Sequence, residues 1–297
     1  MPGPEVFCIG ETMALVVPVL PLPLREAELF RVDVGGAEST VAMYLAGLGH
    51  RSAWVSRVGQ DPLGQRVVST IASHGVDTTW VRVDPLAPTG VYFKDPGPQR
   101  TTVFYYRRGS AASRMSPDDL EDVPLGTSRV VHLSGITPGL SASCRDLVTG
   151  VVERTRSPGT LVSFDVNYRP GLWSVEDAAP VLADIASRCD IAFVGQDEAQ
   201  LLWGTGTPQQ VARLLGERPR VVVKDAAVGA SDLHGGRVTF AAAHEVEVVE
   251  AVGAGDAFAA GYLSGVLRGL APDRRLDLGH RLAARALSST SDFVPSG

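Results

Sequence analysis

Short apolar runs recur along this chain and end on Gly, Asp or Asn: VFCIG, SAWVSRVG, RVVHLSG, LVSFDVN, CDIAFVG and RVVVKD. Helix-length segments lie between them, and that rhythm predicts an α/β fold with a mainly parallel sheet. The run at 161–165, the segment SVEDAAPVLADIASRC and the run at 191–194 form one βαβ unit, with Asp165 and Gly195 at strand C-termini. In such sheets ligands gather at the strand C-termini. Two stretches break the rhythm: 12–34, with Pro18, Pro21 and Pro23, and 88–108, PTGVYFKDPGPQRTTVFYYRR, which alternates about a turn at DPGPQ. Both predict strands of a small β lid inserted in one large domain spanning 1–297. HGGRV at 234–238, between two strand-like runs, predicts a hairpin.

Composition narrows the class. A chain of 297 residues, 44% hydrophobic, buries a substantial core without a disulfide or structural metal. The net charge of −6 comes without any dense Lys/Arg cluster, so nucleic acid is an unsuitable partner. Cys8, Cys144 and Cys189 are odd in number and widely spaced, which predicts buried free thiols in a reducing compartment, the cytoplasm. No signal-like N-terminus and no run of 18 apolar residues is present, so neither export nor a membrane segment is expected. The six histidines lack HExxH or paired-ligand spacing, and no GxSxG elbow occurs, which argues against a zinc site and a serine hydrolase.

The candidate chemistry lies elsewhere. In VEAVGAGDAFAAGYL, 249–263, Gly253, Ala254 and Gly255 open a helix whose free N–H groups can converge on an anion. No Gly-Lys-Ser/Thr follows, so this is not a Walker loop. Asp256 beside such a hole has two equally good explanations: a general base for a hydroxyl nucleophile, or a first-turn acid favoured by the helix dipole. Gly35 and Gly36 in DVGGAESTVAMYLAGLG would let a ligand touch backbone, although a strand-to-helix turn explains them as well. FDVNYRPGLW gathers Asp165, Asn167, Tyr168 and Arg169 at a strand end, and Pro170 keeps Arg169 out of a helix. In YYRRGSAAS, alternation sends Tyr105 and Arg107 to one face, to cover an anionic substrate or to blunt an edge strand.

VGAGDAFAAGY resembles the C-terminal signature of the ribokinase-like sugar kinases, the PfkB family. GGAESTVAMYLAGLG, SRVGQDPLG and VVVKDAAVGA match its other segments in order, so the resemblance runs from about Cys8 to about Asp292. TGVYFK, FYYRRGSAASRMSPDDL, HLSGIT and FDVNYRPGLW are most similar to the 2-keto-3-deoxygluconate kinases. The resemblance implies a three-layer α/β/α core with a β lid, ATP with Mg2+, and phosphoryl transfer to a primary sugar hydroxyl. It also implies a small sugar acid as substrate, a homo-oligomer, and a monovalent cation such as K+.

By motif, Asp256 matches the family's catalytic base and 253–255 its anion hole. Gly36, Tyr92, Tyr105, Arg107, Asn167 and Arg169 match the sugar-acid side. Gly195, Lys224, Gly229 and His280 match the nucleotide side, with Glu198 linked indirectly to the metal. Two arginines suit a carboxylate, because a charge-assisted hydrogen bond contributes about 1.5–3 kcal/mol, roughly twice a neutral one. Several positions depart from the pattern: Thr40 and Gly195 stand for Asn, Glu250-Ala251 for Asp-Thr, Ala226 for Gly, and His280 for an adenine-side Asn. A fructokinase or another sugar kinase is the alternative enzyme, and a catalytically silent sugar-binding relative the alternative of another class.

Overall fold

The structure, a computed structural model, describes residues 3–97, 101–154, 159–250, 252–289 and 293–294. The chain opens with β1 (Val6–Ile9), β2 (Met13–Pro18), β3 (Phe30–Gly35) and α1 (Ala37–Gly47), then β4 (Ser52–Gly59), α2 (Pro62–Ser73) and β5 (Val81–Asp84). A hairpin of β6 (Val91–Asp95) and β7 (Thr102–Tyr106) follows, then β8 (Val130–Ser134), α3 (Ile136–Leu140), α4 (Ala142–Arg154) and β9 (Leu161–Asp165). The second half runs α5 (Val175–Arg188), β10 (Ile191–Gly195), α6 (Gln196–Trp203), α7 (Pro208–Leu215), β11 (Arg220–Asp225), β12 (Gly229–His234), β13 (Arg237–Ala242), α8 (Ala254–Leu267) and α9 (Pro272–Leu287).

Among the described residues nine strands form one sheet in the order β13-β12-β11-β10-β9-β8-β1-β4-β5, parallel from β5 to β11 and closed by the antiparallel β12–β13 hairpin. The order reverses about β1, which pairs with β4 on one side and β8 on the other, so a crevice opens there beyond the strand C-termini. The period-2 pattern of β1 divides two cores: Phe7 and Ile9 pack on the face covered by α4 and α5, Val6 and Cys8 on the face covered by α1 and α8. Burying each such side chain contributes about 1.5–3 kcal/mol, and with helices on both faces the whole run is apolar. Cys8, Cys144 and Cys189 are buried free thiols.

Local sequence sets the helix starts. Asp61 accepts from the Gly64 N–H with Pro62 at the first position of α2, Ser174 accepts from Asp177 N–H at α5, and Thr207 accepts from Gln210 N–H ahead of Pro208 at α7.

The second sheet has the order β3-β2-β6-β7, and β3 runs straight into α1. Its strands fall within 12–34 and 88–108, while Pro98 and Gln99 of the DPGPQ turn lie outside the described residues. β5 escapes the sequence pattern because its VRVD leaves Arg82 and Val83 exposed and buries only Asp84.

Candidate active site

A cavity of about 460 Å³ lies between the small sheet and the C-termini of β9, β10 and β11. Asp165, Gly195 and Lys224 line it from those strand ends, Gly36 and Thr40 from α1, Tyr92, Lys94, Tyr105 and Arg107 from the small sheet, and Gly253, Gly255 and Asp256 from α8.

The start of α8 explains why glycine opens this helix. Gly253 has φ +82, a left-handed conformation that costs an L-residue about 1–2 kcal/mol, and the next residue is already helical. Asp256 is the third residue of α8, in the first turn, and accepts from the Asn167 amide nitrogen at 3.3 Å. Asn167 itself sits at φ +38, which turns its side chain back toward α8. Burial, and then the negative charge of Asp165, push the Asp256 carboxyl up to about 7, with Arg169 and Lys224 acting in the opposite direction. A carboxyl poised there is suited to accept a proton near neutral pH.

Lys224 donates to Asp165 Oδ2 at 2.7 Å. Burial draws its pKa down, but Asp165 and Glu198 outweigh that and leave it raised. Glu198 is clamped by two backbone amides, Tyr168 N–H at 2.9 Å and Gly195 N–H at 2.9 Å, and burial beside Asp165 raises its carboxyl. Asp165 Oδ1, by contrast, is buried without a hydrogen-bond partner among the described residues.

On the opposite wall, Arg107 donates through Nε to Glu11 at 2.7 Å and also pairs through Nη2, and the Ser110 hydroxyl donates to the other Glu11 oxygen at 2.5 Å. Tyr92 and Tyr105 stack with centroids 5.6 Å apart, and the Arg107 guanidinium lies 5.6 Å from the Tyr105 ring. Gly36 approaches the Glu11 backbone so closely that an added Cβ would come within 2.5 Å of the Glu11 carbonyl oxygen. Lys94 pairs with Glu250 at 2.6 Å. Three cavity cations therefore have carboxylate partners. Arg169 is the exception among the described residues: it donates to the Tyr168 carbonyl at 3.0 Å and makes no ion pair.

The structure thus gathers Gly36, Tyr92, Tyr105, Arg107, Asn167, Arg169, Gly195, Glu198, Lys224, Gly253, Gly255 and Asp256 about one cavity. Ala254 opens α8 behind it. Gly229 and His280 lie off the cavity, around Ala241: a Cβ on Gly229 would collide with the Ala241 carbonyl, and His280 Nε2 is 3.1 Å from the same oxygen. Ala251 lies outside the described residues.

Sequence reasoning missed Glu11 and Lys94, and it assigned Asp165 no role. Glu11 follows the C-terminus of β1, and Lys94 is two residues after Tyr92, so the alternation applied to Tyr105 and Arg107 places it on the Tyr92 face.

The chain also matches known proteins over nearly its whole length. The profile of the pfkB family of carbohydrate kinases matches residues 4–295. A 2-dehydro-3-deoxygluconokinase of Thermoproteus tenax is 35% identical over 290 residues, covering 95% of this chain and 87% of the relative. The 2-dehydro-3-deoxygluconokinase of Bacillus subtilis (strain 168) is 35% identical over 299 residues, covering 97% of this chain and 91% of the relative. A crystal structure of a PfkB protein from Polaromonas sp. JS666 superposes with a TM-score of 0.89 at 35% identity, covering 97% of each chain. The glycine-opened helix with its acid at 256 and the match from 4 to 295 lead to one conclusion: this chain belongs to the pfkB family of carbohydrate kinases.

Proposed function

We propose that this protein is an ATP-dependent 2-keto-3-deoxygluconate kinase that phosphorylates the terminal hydroxyl of the sugar acid, working as one kinase domain across 1–297. The observation that carries this reading is Arg169, the cavity cation with no ion pair among the described residues, facing the same space as Asp256. A substrate carboxylate satisfies that charge, and a neutral sugar leaves it unmatched. The two relatives named above have the same substrate class in their names.

In this reaction Asp256 takes the proton from the 6-hydroxyl as its oxygen forms a bond to the γ-phosphorus. The bond from that phosphorus to the departing ADP oxygen breaks, and the N–H groups at 253–255 stabilise the phosphoryl in flight. Asn167 orients Asp256, Tyr92 and Tyr105 give the sugar an apolar wall, and Arg107 with Glu11 forms a charge-balanced pair for its hydroxyls. Gly195, Lys224, Gly229 and His280 form the nucleotide side.

Mg2+ suits this site. Asp165 Oδ1 is an unpartnered buried acceptor, and the amide-clamped Glu198 adds negative charge nearby without a free oxygen. When bound, Mg2+ neutralises the phosphate charges. A homo-oligomer and a cytoplasmic location are part of the proposal, supported by the exposed Phe104 and Tyr106, which share the face of β7 opposite the cavity, and by the three free thiols.

ADP release with Mg2+ across a panel of sugars tests the reading. Turnover of 2-keto-3-deoxygluconate above fructose and ribose supports it, and the reverse order overturns it. Light scattering that finds only a 31.3 kDa particle at micromolar concentration overturns the oligomer.

A further inference from the structure

Lys94 is a cation in an unusual place. It belongs to β6 of the small sheet, yet it is only 2% exposed, and its ammonium reaches Glu250 at 2.6 Å on the segment that leads to α8. That segment is held from the other side as well: the N–H groups of Val249 and Glu250 donate to the Leu287 carbonyl at the end of α9, at 2.8 and 3.2 Å. Three residues past Glu250 comes Gly253, which opens α8 in a left-handed conformation and lines the cavity that Lys94 also lines.

The family resemblance implies a free monovalent ion beside residues 250 and 251. The described residues there do not suit one. Oε1 of the carboxylate that would draw such an ion lies 2.6 Å from an ammonium of the same chain, an ion pair outside hydrogen-bond geometry, and a second cation beside it meets like-charge repulsion in a poorly solvated place.

We infer that the Lys94 ammonium is a tethered cation: it replaces a free monovalent ion at Glu250 and holds Glu250 in place ahead of the α8 start that forms the anion hole. Because Lys94 is carried by the small sheet, that hold forms only when the sheet is seated against α8. Lys94 is a positioning residue, acting through Glu250 on the start of α8. The inference rests on the reading of this cavity as the phosphoryl-transfer site.

The test uses the 297-residue chain with ATP, Mg2+ and 2-keto-3-deoxygluconate at constant ionic strength, with tetramethylammonium chloride replaced stepwise by KCl. Wild-type kcat changes by less than about twofold across the series. Lys94→Met lowers kcat by about 100-fold, the cost of displacing the backbone donors of an anion hole that Glu250 no longer holds in place, with the sugar KM moved by less than about threefold. KCl or NH4Cl restores roughly tenfold or more of that loss, which a purely structural lesion would not allow.

Removing one partner of a buried pair destabilises the fold, so Lys94→Met/Glu250→Gln is the second variant. Its melting temperature returns toward the wild-type value while kcat stays low. Recovery of both makes the pair merely structural and overturns the inference. Wild-type activity that rises more than about tenfold with K+ also overturns it and leaves the kinase reading intact. A wild type that consumes no ATP with any sugar overturns both.

Discussion

Arg107 and Glu11 form a buried pair, with Nε 2.7 Å from the carboxylate and the arginine side chain only 9% exposed. The pairing separates two arginines that the sequence treats alike. Arg107 is already neutralised by the protein, whereas the charge of Arg169 remains for the substrate.

Substitution therefore has opposite signatures at the two positions. Arg169→Ala lowers kcat/KM for the keto-deoxy acid by about 10- to 150-fold, the loss of about 1.5–3 kcal/mol, and leaves the melting temperature unchanged. Arg107→Ala strands Glu11 and destabilises the fold by about 3–5 kcal/mol, part of which Glu11→Gln in the same chain recovers. Steady-state kinetics and thermal melts on the three variants check both statements.

The rate follows the ionisation of Asp256. Its carboxyl lies at about 7, so kcat/KM falls tenfold per pH unit below that value and levels off above it. Asp256→Asn lowers kcat by at least about 100-fold at every pH. A pH–rate profile without this acid limb, or a fully active Asp256→Asn, is inconsistent with a base at this position.

The same group costs stability at the pH where it works. The folded-state value of about 7 lies above the ordinary 3.8, so the folded protein binds the proton more tightly. That contribution is fully present below pH 3.8 and is lost as pH rises through about 7. Asp256→Asn, with no charge to bury, consequently melts higher than the wild type at pH 8, and the gap narrows toward pH 5. Differential scanning calorimetry without ligands across that range measures it.

Ala226 stands in the turn between β11 and β12 at φ +36, exposed, where glycine carries no Cβ penalty. Ala226→Gly raises stability by about 1 kcal/mol, or roughly 2–3 °C in melting temperature, without changing kcat. A lower melting temperature would mean that the gain in unfolded-chain entropy outweighs the relieved strain.

Much of this protein is determined locally. Short apolar runs with polar ends define the parallel strands, Asp61, Ser174 and Thr207 cap their helices through side chains three residues away from the amides they accept from, and the hairpin at 234–238 needs only adjacent residues. The glycine-opened start of α8 and the acid at 256 belong to the same class, because a helix terminus is a short-range object. Partnership among charges is different. Glu11 meets Arg107 across 96 residues, Asp165 meets Lys224 across 59, and Lys94 meets Glu250 through the seating of one sheet against a helix of the other layer. Coulomb energy depends on distance and burial, neither of which is written in residue spacing. Composition and motif could place the cations near a ligand, and only the tertiary structure decided which of them the protein had already neutralised.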